Sequence, residues 1–182
     1  DEIKSEWGGY TSYQREEMIS FCDFLFKEGH YERCIITSFQ LLAKLGDEPV
    51  KSVINYYIAR SYEEIEGFDL SIKYYDKVLD LSDSNSNEFK SAQYRKMHVN
   101  YLIGEYDQII KITRNTNDPY FLILRAYSYL KMNKFDDART ALISAQSIFD
   151  DPYYNKLIKP LLKVIEGVGS ISNYNKYSVL FS

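Results

Sequence analysis

Little in this sequence breaks a helix: its 182 residues include only 4 Pro and 8 Gly, the two residues that most disfavour helix interiors. Cysteine is scarce, with 2 in the chain, so a disulfide-dense scaffold is excluded, and no CxxC pair is present. No apolar run approaches the ~18–20 residues that span a membrane as a helix. No Lys/Arg cluster is visible and the formal net charge is −4; nucleic-acid binding, which draws on a basic face, is therefore not expected. Phosphate-binding GxxxxGK[ST], zinc-protease HExxH and nucleophile-elbow GxSxG patterns are all missing. The 2 histidines, His30 and His98, lie far apart in sequence. The acidic groups Glu63, Glu64 and Glu66, Asp136 and Asp137, and Asp150 and Asp151 fall at expected helix ends, where capping and solvation account for them. No enzyme, cofactor or metal is expected.

What the chain has in excess is tyrosine, 18 of them, beside 10 Phe. Tyrosine is large but carries a hydroxyl, which suits half-buried positions and protein-facing surfaces. Four short segments resemble one another: Glu28-Gly29-His30-Tyr31, Glu66-Gly67-Phe68-Asp69, Gly104-Glu105-Tyr106-Asp107 and Asn133-Lys134-Phe135-Asp136. Each runs from a small or polar turn through an aromatic into an apolar stretch. The aromatics recur at an irregular interval near the mid-thirties, the mark of a repeat protein.

Helical patterns flank each turn. Met18, Phe21, Cys22, Leu25 and Phe26 form one stripe with the spacing of a helix face, and Cys34, Ile35, Ser38, Phe39, Leu41, Leu42 and Leu45 follow in the same period. Asp118-Pro119, Asp151-Pro152 and Asp47-Glu48-Pro49 each pair a capping carboxylate with a proline suited to a first turn, and 82–87 is a polar loop with several potential N-caps. The spacing predicts helices over 12–28, 31–45, 49–65, 69–81, 87–103, 106–114, 119–132, 135–149 and 152–166: four antiparallel hairpins and a final helix.

This pattern resembles the tetratricopeptide repeat (TPR), a helix–turn–helix unit, in about four degenerate copies over residues 15–166. The match is best over 119–152, with Ala126, Tyr129, Phe135, Ala138, Ala145 and Pro152 at motif positions. Over 52–85 the motif residues are Ala59, Tyr62, Phe68, Ser71 and Val78, and over 15–48 they are Cys22, Leu25, Tyr31, Cys34 and Leu41. Residues 90–116 depart from the pattern, because Met97 and Asn100 stand where a small residue and an aromatic belong and the second helix is short. The resemblance implies an all-α fold, a right-handed α-solenoid of antiparallel helix pairs with a C-terminal capping helix at 153–166 that Pro160 bends. Domain organisation follows: a 1–11 extension containing Trp7-Gly8-Gly9-Tyr10, a 12–166 repeat domain, and a 167–182 tail that reads as cut from a longer chain.

In the first hairpin Cys22 and Cys34 stand level across the crossing. Two readings stay open: small buried residues filling alanine positions, or a disulfide formed in an oxidising compartment. His30 sits eight residues from Cys22, roughly 12 Å along a helix at ~1.5 Å per residue, too far to complete a metal site.

The family binds partners along the first helices of successive repeats. Carried over, the lining positions are Ile19, Asp23 and Phe26, then Tyr56, Arg60 and Glu63, then Tyr94, His98 and Tyr101, then Tyr120, Ile123, Tyr127 and Leu130. The expected partner groove is Tyr56, Arg60, Tyr94, His98, Tyr101, Tyr120, Ile123 and Tyr127, a Tyr- and Arg-rich set of the kind that anchors interfaces. The carboxylate clamp of some family members has no counterpart at Ile19, Asp23, Tyr56 and Arg60. The chain is thus expected to be a non-enzymatic scaffold for a protein or peptide. The alternatives are an oligomerisation module whose groove holds its own or a neighbour's terminal segment, and the regulatory domain of a larger protein. Because residue 1 is Asp rather than Met, an upstream leader or segment is expected, and a periplasmic or exported location is preferred to a cytoplasmic one.

Overall fold

The fold is described from a computed structural model for residues 12–45, 50–148 and 152–168. The described residues form α1 (Ser12–Lys27), α2 (Tyr31–Leu42), α3 (Val50–Glu64), α4 (Phe68–Leu81), α5 (Asn87–Leu102), α6 (Tyr106–Ile112), α7 (Pro119–Lys131), α8 (Phe135–Ile148) and α9 (Pro152–Lys163). A π-helical turn, Val164–Val168, follows, and no strand occurs among the described residues. The 1–11 extension, the caps Asp47-Glu48-Pro49 and Asp151, and the tail from 169 onward lie outside them. The chain divides into two compact units, Asp1–Val99 and Asn100–Ser182. The division falls in the third repeat, between the atypical Met97 and Asn100.

Four turns of one design set the hairpins. Gly29, Glu66, Gly104 and Asn133 each have positive φ, at 76°, 60°, 84° and 59°. At each, the amide of the next residue reaches back five residues: His30 N donates to Leu25 O (2.8 Å), Gly67 N to Tyr62 O (2.8 Å), Glu105 N to Asn100 O (2.9 Å) and Lys134 N to Tyr129 O (2.9 Å). This left-handed closure satisfies carbonyls that would otherwise be orphaned at the helix end. The turn aromatic always stands two residues later.

Counting from these turns puts the small residues in register. Cys22 and Cys34, Ala59 and Ser71, and Ala126 and Ala138 lie seven before and five after the left-handed residue, and all are fully buried. Side chains this small let two helices approach to ~8–10 Å. The third repeat has Met97 and Ile109 at the same offsets. Both cysteines are free thiols: the Cys34 thiol donates to Cys22 O (3.4 Å) and the Ser38 hydroxyl to Cys22 Sγ (3.5 Å).

In the first unit Leu41, Ile54, Ile58, Ala59, Tyr74, Tyr75, Val78, Ala92 and Val99 form one core cluster, and Cys22, Leu25 and Cys34 a second, with Phe26 and Tyr57 packed on it. Ser86 caps α5 by accepting from Phe89 N (3.1 Å). In the second unit Asp118 caps α7, accepting from Tyr120 N (2.9 Å) and Phe121 N (3.4 Å), with Pro119 in the first turn. Helix α6 has 7 residues; its end is held by Arg125, whose guanidinium donates to Thr113 O (2.7 Å) and Arg114 O (3.0 Å). Helix α9 buries Ile158 and Leu161 and is bonded to α8 through Gln146 and Asn155 (3.5 Å). It runs through Pro160 and caps the stack.

An L-residue in the left-handed region costs about 1–2 kcal/mol, while a glycine there gives back about 0.5–1 kcal/mol of chain entropy. Glu66 is exposed, so Glu66→Gly should stabilise the protein by about 0.5 kcal/mol. A Cβ at Gly29 would touch nothing within 4 Å, so Gly29→Ala should cost about 1 kcal/mol from φ alone. Urea unfolding of both variants checks the opposite signs.

Candidate functional site

The structure separates the expected groove residues into two classes. Tyr56, Arg60, Tyr94, His98 and Tyr120 are half-buried. Ile123 and Tyr127 are each only 1% exposed, and Tyr101 is 9% exposed; these three are core residues, and lining an open groove is corrected to filling the interior. The reason is α7 itself, in which Phe121, Leu122, Ile123, Leu124, Ala126, Tyr127, Ser128 and Leu130 are all buried, so the helix has no broad free face. Tyr127 packs edge-on to Tyr101 at 6.4 Å.

The half-buried set of the first unit is drawn together around a buried acid. Three residues before each left-handed turn stand Phe26, Glu63, Tyr101 and Leu130, so Glu63 replaces an apolar residue. In the first and third repeats that position packs on the turn aromatic, Phe26 on Tyr31 and Tyr101 on Tyr106, each pair at 5.5 Å. Glu63 is 8% exposed, which corrects its reading as a solvated helix-end carboxylate; Glu64 and Glu66 are exposed as expected.

Four side chains converge on Glu63. Tyr75 of α4 donates its hydroxyl to Oε2 (2.5 Å), and Arg95 of α5 donates Nη1 to Oε1 (3.2 Å). His98 Nδ1 lies 3.5 Å from Oε1, and Arg60 Nε lies 3.8 Å from Oε2. Arg60 also donates Nη2 to Glu64 (2.9 Å), and its guanidinium rests over the Phe26 ring of α1 at 4.9 Å, a favourable cation–π contact. Beside it, the Tyr57 hydroxyl donates to Asp23 (3.0 Å), which pairs with Lys27 (2.6 Å). Helices α1, α3 and α5 are therefore tied into one surface by named polar and aromatic contacts. Of the expected groove residues, Arg60 and His98 lie beside Glu63; Arg95 and Tyr75, which also reach it, were not among them. The available signal was the apolar–acid exchange at Glu63, because a buried acid needs partners.

Burial alone would raise the Glu63 carboxyl, but hydrogen bonds from His98 and Tyr75 and the charges of Arg95 and Arg60 outweigh it and hold it below the usual carboxylate value. Burial, then the Glu63 charge, pushes Tyr75 well up, so it stays a donor. No group of three or more potential metal ligands exists among the described residues, and no described helix is long and apolar enough to cross a membrane.

A lowered folded pKa gives stability that is present above the unfolded value and lost as pH falls through the folded one. Glu63 should therefore contribute fully at neutral pH, and its share should fade below about 4.5. We expect Glu63→Gln to cost about 1–3 kcal/mol at pH 7 and to flatten the acid limb of the stability curve. Urea midpoints measured from pH 7 down to pH 3 check both; an unchanged acid limb would contradict the assignment.

No protein-family model matches the chain, and no curated protein matches it. Solved structures do. A chain titled MamA RS-1 ArsTM double mutant superposes with a TM-score of 0.62 at 14% identity, covering 92% of this chain and 93% of that one. A chain of MamA from Desulfovibrio magneticus RS-1, residues 41 to the end, superposes with a TM-score of 0.60 at 16% identity, covering 91% and 94%. At such identities the likeness is one of fold: this chain is an all-α solenoid of antiparallel helix pairs, similar to those structures over most of its length.

Proposed function

We propose that the chain is a non-enzymatic protein-interaction module of the tetratricopeptide type that holds a segment of a partner protein against α1, α3 and α5 of its first unit. The observation that carries this is the continuity of that surface. Ile19, Phe26, Tyr56 and Tyr94 are half-buried on three successive first helices, with Arg60 and His98 among them. Large, stiff aromatics beside an arginine supply contact area at low entropic cost and are the residues that dominate interface energetics. Tyr56 is itself braced edge-on against Tyr75 at 6.0 Å, so its ring is held ready for a partner. Preorganisation of this kind lowers the ordering cost of binding.

In the second unit Tyr120 is half-buried, and Ile123 and Tyr127 lie in the interior. The proposed surface is therefore narrower than the eight positions that the family pattern suggests. Its test is selection of linear peptides from a displayed random library against the whole chain. Affinity of the selected peptides should fall at least about ten-fold, or ~1.4 kcal/mol, for the Tyr56→Ala/Tyr94→Ala variant, with helicity and melting temperature kept near those of the parent. Unchanged affinity would remove this surface as the binding site.

A further inference from the structure

The groove proposed above has a chemical preference written into its floor. Glu63 lies under the surface, and both of its oxygens are engaged, Oε2 by Tyr75 and Oε1 by Arg95, with His98 beside Oε1. The acceptor capacity of this acid is thus turned inward. Of the donors, Arg95 is the one turned outward, its side chain 34% exposed against 17% for Arg60, and each guanidinium carries five N–H groups in a fixed fork. Arg95 spends one nitrogen on Glu63. Arg60 spends one on Glu64, and its buried Nε faces Glu63 Oε2 at 3.8 Å. Asp23 is paired with Lys27 and Tyr57, and Glu64 with Arg60.

On the strength of the interaction reading, we propose that the partner segment bound by the first unit presents an acidic side chain, Asp or Glu, which docks on Arg95 with Arg60 and His98 behind it. A carboxylate fits because a guanidinium fork and a carboxylate form paired, charge-assisted hydrogen bonds, stronger and more directional than those to a neutral carbonyl. A basic side chain is rejected, since it would approach two arginines whose compensating carboxylates are already bonded. The seat belongs to a side chain rather than to a chain terminus. It lies between α3 and α5, where Arg95 reaches Glu63, with Phe26 of α1 under Arg60, on helix faces rather than at a closed end of the site. Glu63 and Tyr75 act as positioning residues, fixing Arg95 and Arg60 in advance.

The peptides selected from the displayed library test this directly. Enriched sequences should carry Asp or Glu at a constant spacing from an aromatic or aliphatic residue. Replacing that acid by its amide should weaken binding to the parent chain about ten-fold by calorimetry, and leave binding to Arg95→Gln nearly unchanged. That coupling is what a direct contact produces in a double-mutant cycle. Affinity for the acidic peptide should also fall as salt is raised. Peptides that depend on Tyr56 and Tyr94 but show no acidic position would overturn this inference and leave the groove intact. So would equal losses in the parent and Arg95→Gln chains, or a preference for Lys or Arg. Peptides indifferent to Tyr56 and Tyr94 would overturn the groove and the acidic seat together. Should Arg95→Gln fold poorly, Arg95→Lys serves in its place, keeping the charge and losing the fork, with a smaller coupling expected.

Discussion

The left-handed residue that ends each first helix is the constraint from which the rest of this structure is measured. One backbone angle at Gly29, Glu66, Gly104 and Asn133 turns the chain back on itself and closes the same hydrogen bond each time. Once that angle is set, helical geometry determines which residues meet. Those seven before and five after it are buried in every repeat, and in the first, second and fourth, where they are Cys, Ala or Ser, they are the small residues of the helix pair. Those three before it lie over the turn, where Phe26 and Tyr101 pack on the aromatic that follows. Four hairpins of unequal length thus share one internal register.

Glu63 acquires its meaning from that register. An acid at the end of a helix is unremarkable by itself, but an acid at the offset where other repeats put Phe, Tyr or Leu must be desolvated, and it survives burial only because Tyr75, Arg95 and His98 reach it. Buried ionic groups often contribute less to stability than an apolar residue of the same size would. Their more secure role is to orient what surrounds them, and here they orient two guanidiniums and, through Arg60, the Phe26 ring. Local departures from a packing rule of this kind tend to mark functional positions.

Much of the fold was legible in the sequence because helix periodicity and the turn signals are local. Among the described residues, α2, α4, α5, α6, α7 and α8 begin within a residue of where Asp118-Pro119, the polar loop before Asn87 and the turn aromatics place them. The ends are less regular: α2 stops at Leu42 instead of continuing to 45, where Ala43 and Lys44 close a turn. The site was legible only in part. Positions transferred from the family include Tyr56, Arg60, Tyr94 and His98, which are half-buried, yet the same transfer mistook Tyr101, Ile123 and Tyr127 for surface. The run Tyr120-Phe121-Leu122-Ile123-Leu124 contained the warning, since a helix that is apolar on all sides has to be buried. Arg95 and Tyr75 were out of reach of any pattern, because nothing local says that a buried carboxylate two helices away requires them.

The shortness of α6 affects how the chain comes apart. Its 7 residues extend only about 10 Å, against about 21 Å for the 14 of α4 or α8, and so few turns hold few amide hydrogens out of exchange with water. In a linear array each repeat is stabilised mainly by itself and its immediate neighbours, so opening is easiest where the intrinsic helix is weakest. The third repeat is that place, and it also contains the division between the two compact units. Unfolding should accordingly proceed in steps, with the amides of α6 surrendering their protection before those of α3 or α8, and a single midpoint would describe the chain poorly.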